Sequence, residues 1–432
     1  MSADAALTAR CADLIYDQPM SASTLTAGAS PVLNPLRQDA LLIGMVGLAH
    51  MVSHFSQLLL PPLFPWLKDA LNASYTQLGF LMTIFFVVSC AIQTLSGFWV
   101  DKYGPRPILF MGLGCLSVAA FGFSVSTGYW MMASFAVLAG IGNGVFHPVD
   151  YTLLNKKVSP TRLGHAYSTH GLTGSLGWAL APALLIPITI AYSWRTALQA
   201  AGGLALVVIV LIAWQRDKFD LPKTPAPTGD AATGPGKAEE GGLAFLKIPA
   251  VWGCFGFFFL YAIVISVVQA FAPQAARELH GISVELAAIC LTTYMVCSAA
   301  GMVAGGYLAS SPERCERIVG IAFAAAACLA LVMALASLPV AAVPLLFGLM
   351  GFASGTAGPS RDLLVKKSTP ANATGRVYGV VYSGLDIGQA VAPLFFGMLM
   401  DKHQFVGVFI GLAAVQLMLI AGAFNIQKVR KA

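Results

Sequence analysis

The stretch PILFMGLGCLSVAAFGFSVSTGYWMMASFAVLAGIGNGVF, residues 107–146, contains no Asp, Glu, Lys or Arg. A helix needs about 20 apolar residues to cross the hydrocarbon core of a bilayer, and this run is about twice as long. It therefore predicts two membrane-spanning helices joined by a turn at residues 126–128. Residues 318–360 form a similar run, with a turn predicted at residues 337–339. Membrane β-strands alternate polar and apolar residues over about ten positions, and neither run does.

The composition of the whole chain agrees with these two runs. Of its 432 residues, 57% are hydrophobic and only 10% are charged. Soluble globular proteins carry about 25% charged residues, so this chain cannot cover a water-facing surface. The sequence predicts an all-α integral membrane protein, and the lipid bilayer is its first expected partner.

Twelve spans are predicted, in two halves of six. The Pro-, Gly- and charge-rich segment 217–247 is predicted to be a cytoplasmic linker between the halves 38–216 and 248–426. Residues 1–37 are expected to form a disordered cytoplasmic tail, and 427–432 a short second one. The predicted spans are 40–66, 76–100, 106–125, 128–152, 163–190, 195–216, 248–274, 284–309, 316–337, 340–364, 373–400 and 404–426.

Lys and Arg residues set the predicted orientation, because they accumulate in cytoplasmic loops. With the N-terminus in the cytoplasm, only four of the 25 Lys and Arg residues fall outside: Lys68, Arg195, Arg277 and Lys402. Both termini are then cytoplasmic. The net charge of +6 is therefore explained by the basic residues of the cytoplasmic loops and does not indicate binding of nucleic acid. A multi-pass protein of the cell inner (plasma) membrane is expected.

The two halves repeat each other in sequence. Gly177 with Ala181-Pro182 recurs 211 positions later as Gly388 with Ala392-Pro393, and Lys156-Lys157 recurs as Lys366-Lys367 with a one-residue slip. Such duplication of a membrane domain builds a central site between two halves that can rock.

The loop after the second span reads GFWVDKYGPRP, residues 97–107. It resembles the signature loop of the major facilitator superfamily, which fits at Gly97, Asp101, Gly104 and Arg106. Lys102 stands where the family usually has Arg, and Pro105 where it usually has a basic residue. The resemblance implies a twelve-helix secondary transporter that works by alternating access, in which this loop helps to hold the outward-facing state. We expect these residues, Lys102 included, to form a conformational gate together with Asp150.

Two further stretches resemble particular groups within this superfamily. The run that begins HMVSHFSQLLLPP at His50, with the His-Pro of the fourth span, resembles the fosmidomycin-resistance-like branch of the superfamily. GLTGSLGWALAPAL, from Gly171, is a close-packing face of small residues. It also resembles the Gly-Pro motif of proton-coupled exporters, with Ala181 in place of Gly.

Asp386 is the acidic residue that lies near the middle of a predicted span. A carboxylate there costs roughly 3 kcal/mol on insertion scales, which predicts that it faces a cavity or a partner. Tyr382 and Gln389 share its helix face. Shielding from water favours the neutral carboxyl group, so Asp386 is predicted to couple protons. A structural hydrogen bond is the alternative.

Histidines on two other helix faces extend the candidate site. His50 and His54 lie on one face with Gln57, and Asn143, His147 and Asp150 lie on another. Because histidine titrates near neutrality, we predict that His50, His54 and His147 assist proton coupling, with His147 and Asp150 as a relay or inner gate. Arg361 could attract an anion or snorkel to the interface. The predicted substrate-binding residues are Gln57, Asn143, His170, Tyr261, Gln269, Tyr382, Gln389 and Arg361.

These features predict a proton-coupled secondary transporter of a small organic molecule. The chain has no GxxxxGK[ST] nucleotide-binding loop. Export of an antimicrobial or anionic compound by antiport is the leading prediction, and uptake of an organic anion by symport is the alternative. A membrane enzyme and a receptor on a transporter scaffold are both disfavoured. No cofactor, metal or nucleic acid is expected, since the His and Cys spacings match no strong ligand motif. A monomer is expected.

Overall fold

The computed structural model describes residues 35–221, 249–308, 315–361, 363 and 374–431. This part of the chain contains helices and no β-strand. Most of the predicted N-terminal tail, most of the linker and the Lys366-Lys367 repeat lie outside the described residues.

The first half contains eight α-helices, two of its six spans being broken into two helices each. The first span breaks at a short 3-10 helix, Pro61–Leu63, because Pro61 and Pro62 cannot donate backbone hydrogen bonds. The fourth span breaks between Asn143 and Phe146. The helices are α1 (Pro35–Gln57), α2 (Phe64–Leu71), α3 (Tyr75–Tyr103), α4 (Pro105–Val125), α5 (Tyr129–Asn143), α6 (Phe146–Lys157), α7 (Leu163–Ala191) and α8 (Trp194–Ala213).

The second half follows the same plan, with its first span extended by a short helix after Ala270. Its helices are α9 (Pro249–Ala270), α10 (Ala272–His280), α11 (Val284–Leu308), α12 (Cys315–Leu335), α13 (Ala342–Thr356), α14 (Thr374–Asp401) and α15 (Phe405–Lys431). Twelve helical segments of the described chain are long and apolar enough to cross a membrane. The predicted twelve-span, all-α fold is confirmed, and most boundaries shift by only a few residues.

Equivalent glycines bring equivalent helices together in the two halves. A Cβ atom added at Gly177 of α7 would lie 2.3 Å from the carbonyl oxygen of Met51 on α1. One added at Gly388 of α14 would lie 2.4 Å from the carbonyl oxygen of Phe259 on α9. Backbones approach this closely in membranes only where small residues lie between them. The sequence repeat is therefore also a repeat of helix packing.

The two halves meet along α3 and α14. At the end of the molecule that the Lys and Arg distribution predicts to face outward, called the outer end below, Asp401 at the end of α14 caps the start of α3. Its carboxylate accepts hydrogen bonds from the backbone N–H groups of Tyr75, at 2.7 Å, and Thr76, at 2.9 Å. The Thr76 hydroxyl donates a third, at 2.6 Å. An anion at a helix N-terminus is favoured by the unsatisfied N–H groups and by the helix dipole.

Further along the same contact the backbones nearly touch. The Thr83 hydroxyl donates to the carbonyl oxygen of Ala390 at 2.6 Å. A Cβ atom at Gly79 would lie 2.8 Å from the carbonyl oxygen of Pro393. This surface between α3 and α14, here called the α3–α14 seam, closes the outer end.

We predict that Asp401→Ala loosens the seam. Loss of a charged helix cap costs about 0.5–2 kcal/mol, so the ratio of closed to open forms at the outer end should fall roughly 2- to 30-fold. The measurement is pulsed electron resonance between spin labels at Tyr192 and Lys402, in a background without native cysteines. In Asp401→Ala, a larger fraction of molecules should show long distances between the two spin labels.

Two variants serve as comparisons for this test. Asp401→Asn keeps one carbonyl oxygen as an acceptor and should give an intermediate shift. Glu285→Ala removes an exposed carboxylate at the same end and should leave the distances unchanged. An Asp401→Ala distribution that matches the parent protein would contradict the capping role.

Candidate functional site

Four histidines converge inside the first half. His50 and His54 come from α1, His147 from α6 and His170 from α7. The ring centroids of His50 and His170 are stacked 3.6 Å apart, and those of His50 and His54 are separated by 4.3 Å. His147 lies 5.3 Å from His50 and 6.0 Å from His170. With Asp150 these residues are called the His–Asp cluster.

Asp150 lies at the centre of this cluster and is fully buried, with 0% of its surface exposed. One carboxylate oxygen, Oδ2, lies 3.1 Å from Nδ1 of His50 and 3.1 Å from Nε2 of His170. The sequence predicted that His147 and Asp150 form a relay or an inner gate. The nitrogen atoms that the structure places 3.1 Å from Asp150 belong to His50 and His170, which come from other helices.

A glycine makes room for the imidazoles. A Cβ atom at Gly174 of α7 would lie 2.8 Å from Cε1 of His54 and 3.1 Å from Nε2 of His50. One turn further along the helix, Trp178 places its ring 4.4 Å from that of His54. The small-residue face predicted on α7 therefore packs against the histidines of α1.

Asn143 organises a second polar group next to the cluster. Its Oδ1 accepts hydrogen bonds from Ser53 at 2.9 Å and Gln57 at 3.2 Å, and its Nδ2 donates to Ser89 at 2.8 Å. The Trp178 indole N–H donates to Oε1 of Gln57 at 2.9 Å. Gln57 and Asn143, both predicted to bind substrate, are thus hydrogen-bonded to each other and link α1, α3, α5 and α7.

Asp386 lies outside this region, on the α3–α14 seam. It is half-buried, and its Oδ2 accepts a hydrogen bond from Nε2 of Gln93 on α3 at 3.3 Å. The residue predicted to couple protons therefore faces the opposite half of the molecule. Nothing in the sequence pairs Gln93 with Asp386, because the two lie 293 positions apart.

The other predicted residues of the second half are spread along α9 and α14. Gln389 is 6% exposed, and its Oε1 has no hydrogen-bond partner among the described residues. The Tyr382 ring lies 5.0 Å from that of Phe258. Gln269 lines a small pocket at the outer end with Pro61 and other residues of both halves. The structure does not bring these side chains into one cluster.

Arg361 packs against aromatic rings of α9. Its guanidinium lies 4.4 Å from the ring centroid of Tyr261 and 5.1 Å from that of Phe258. Such stacking favours a planar cation at a partly buried position. Two predicted substrate residues, Arg361 and Tyr261, are therefore neighbours.

The predicted gate loop makes few contacts across the halves in this conformation. Gly104 joins α3 to α4 with a φ of +85°, a value that glycine adopts without strain. Asp101 and Lys102 are exposed, and an added Cβ at Gly97 would meet nothing within 4 Å. Arg106 forms an ion pair with Asp220, which lies at the start of the predicted linker and not in the second half. Gly97 is therefore not the site of a close helix contact among the described residues.

Comparison with known proteins identifies the family. Residues 46–393 match the family model described as Major Facilitator Superfamily. The chain belongs to this superfamily. The predicted family membership is confirmed, and the gate loop, α7 and the polar part of α14 all lie within the matched region.

The individual superfamily members that the chain resembles have low sequence identity to it. It is 25% identical to the hexuronate transporter of Bacillus subtilis over 60% of the chain and 62% of that protein. It is 28% identical to the fosmidomycin resistance protein of Escherichia coli over 43% of the chain and 45% of that protein. It is 29% identical to the membrane sensor protein UhpC of E. coli over 35% of each. The matches span less than two thirds of these relatives.

Solved structures support the same fold over nearly the whole chain. A bacterial homologue of the human lysosomal transporter Spinster, in an inward-facing and occupied conformation, superimposes with a TM-score of 0.69 at 14% identity. The likeness covers 92% of this chain and 96% of the other. At this identity it establishes the fold of the superfamily and no substrate.

We predict that Gly174→Ala disrupts the His–Asp cluster, because the added methyl group collides with two imidazoles. Overpacking of this kind typically costs about 1–3 kcal/mol. Thermal unfolding in detergent should show a midpoint several degrees lower. Gly171→Ala is the matched control on the same helix, since its Cβ would meet nothing within 4 Å. Equal midpoints for the two variants would show that the close contact is not maintained.

Proposed function

We propose that this protein is a proton-coupled secondary transporter of a small organic anion, working by alternating access as a monomer in the plasma membrane. The observation that carries the proposal is the position of Asp386. Its carboxyl group contacts Gln93 across the seam between the two halves.

A carboxyl group on that seam is suited to coupling. In the described conformation Gln93 and the packed helices shield part of its side chain, and a neutral carboxyl group tolerates that setting better than a charged one. Movement of α14 away from α3 would break the contact with Gln93 and admit water. Protonation and the position of the halves are then linked, as coupling requires.

The conformation itself supports alternating access. The outer end is closed by Asp401 and by the contacts of Gly79 and Thr83 with α14. The gate loop around Asp101, predicted to hold the opposite state, is exposed. We assign this arrangement to the inward-facing state of the transport cycle.

Arg361 supports an anionic substrate. It is an arginine held by Tyr261 and Phe258 within the membrane-spanning part of the second half, and a guanidinium binds carboxylates and phosphonates through paired hydrogen bonds. The similarity to a hexuronate transporter agrees with a carboxylate substrate.

The direction of transport separates two versions of the proposal. Similarity to the fosmidomycin resistance protein favours export of an antimicrobial compound. Uptake of an organic anion by symport is the alternative, and the similarity to a hexuronate transporter is compatible with such a substrate. We take antiport of an antimicrobial or anionic compound as the leading version, because the Ala181-Pro182 motif and the run from His50 also favour it.

The experiment that tests the function is substrate-triggered proton movement in proteoliposomes with a pH dye inside. Hexuronates, phosphonates, mono- and dicarboxylates and hydrophobic drugs form the panel. Protons that move opposite to a substrate establish antiport, and protons that move with it establish symport. Specific binding without any flux of protons or substrate would contradict transport and favour a sensor.

Asp386→Asn should uncouple the transporter. The amide keeps the size of the side chain and its contact with Gln93 but binds no proton. We expect accumulation driven by a pH gradient to fall at least tenfold, while exchange of substrate across the membrane persists. Asp69→Asn, at an exposed carboxylate of α2, is the control and should retain coupling. Full pH-driven accumulation by Asp386→Asn would exclude Asp386 as the coupling group.

Arg361→Gln should weaken binding of anionic substrates. Hydrogen bonds to charged groups contribute about 1.5–3 kcal/mol, which corresponds to a KM that is roughly 10- to 100-fold higher. Arg216→Gln, at an exposed position after α8, should leave the KM unchanged. An unaltered KM in Arg361→Gln would place the anion site elsewhere.

A further inference from the structure

The His–Asp cluster holds more unpaired donor and acceptor atoms than a buried structural group requires. Nδ1 of His54 and His147 and Oδ1 of Asp150 are shielded from solvent and have no hydrogen-bond partner among the described residues. His50 is 2% exposed and His170 is 4% exposed. An unpaired polar atom in such a place is costly, so several such atoms in one cluster point to a binding site for a ligand.

The charge of the His–Asp cluster favours a cation as its ligand. Asp150 is fully buried, and the basic side chains within ion-pair distance of it among the described residues are histidines and no Lys or Arg. When the imidazoles are neutral and Asp150 is ionised, no Lys or Arg of the described residues compensates the negative charge of the carboxylate. An anionic ligand would be repelled there, whereas a cation would supply the missing compensation.

The nitrogen donor atoms of the cluster indicate which cations would bind. One ring nitrogen from each of His50, His147 and His170 lies within 4.8 Å of the others. The donor atoms of a tetrahedral zinc site lie roughly 3.3 Å apart. Side-chain rotations that bring the three nitrogen atoms closer together by up to about 1.5 Å would therefore give three zinc ligands, with Asp150 beside them. Imidazole suits Zn²⁺, Ni²⁺, Co²⁺ and Cu²⁺, whereas Mg²⁺ and Ca²⁺ prefer oxygen ligands.

We propose that His50, His147 and His170, together with Asp150, form a binding site for one divalent first-row transition metal ion inside the first half. The ion links α1, α6 and α7. This departs from the expectation of no metal, which rested on spacing along the chain. His50 lies about a hundred positions from the other ligands, so sequence spacing has no power to detect the set.

The test uses the full-length protein in detergent, stripped with EDTA, freed of any polyhistidine tag and kept at one neutral pH. Calorimetric titration with Zn²⁺ should give one ion per chain. Ni²⁺ and Co²⁺ should bind as well and quench Trp178, whose ring lies 4.4 Å from that of His54. Trp178→Phe should abolish most of the quenching and leave the calorimetric stoichiometry at one.

Variants locate the ion. His147→Ala and His170→Ala should each weaken Zn²⁺ binding at least tenfold. His165→Ala, an exposed histidine of α7, should change nothing. Zn²⁺ should also raise the unfolding temperature of the parent protein and not that of His147→Ala, because a ligand stabilises only the state that binds it.

Other outcomes overturn the proposal. The absence of saturable binding would do so, as would binding that survives both cluster variants or that is lost with His165. If His170→Ala fails to fold, His147→Ala decides, since His147 is half-buried and its Nδ1 has no partner to lose. None of these readouts depends on transport, so failure here leaves the transport proposal standing.

Discussion

The contact between α3 and α14 is the constraint on which the rest of the structure depends. At its outer end a carboxylate caps a helix of the other half, through three hydrogen bonds from Tyr75 and Thr76 to Asp401. Below it Gly79 and Thr83 bring the backbones together. Helices this close have no freedom to slide, so the side chains further along are set in register. That register places Gln93 against Asp386.

Asp386 and the His–Asp cluster therefore differ in how much their surroundings would change when the two halves move. Asp386 lies between the halves, and its surroundings change whenever the halves move. The His–Asp cluster lies inside one half, where Gly174 and Gly177 hold α7 tightly against α1. A group whose surroundings change is suited to coupling a proton to movement. A group whose surroundings stay constant is suited to holding a ligand throughout the cycle.

The sequence predicted the helices well and their contacts poorly, for one physical reason. Apolar length reveals spans, Lys and Arg indicate orientation, and helical spacing shows which side chains share a face. Periodicity does not say which faces meet. His50, His147 and Asp150 were recognised as candidates, but their common centre, and the part of His170 in it, depends on how α1, α6 and α7 pack. The partner of Asp386 was missed for the same reason, because a lone Gln in an apolar helix carries no signal of its own.

The two ends of the α3–α14 seam are related in a way that neither sequence half reveals alone. Asp101 follows the inner end of the second span, and Asp401 ends the outer end of the eleventh, so each is an acidic residue at the end of one seam helix. Asp401 binds the N-terminus of α3 here, while Asp101 is exposed. Rocking that opens the outer end must break the bonds of Asp401 and bring the inner ends of the same two helices together. If the halves rock as proposed, Asp101 would gain a helix N-terminus of the other half when Asp401 loses its own, because an anion gains most at a free helix N-terminus. Each state would then have a bond that the other lacks.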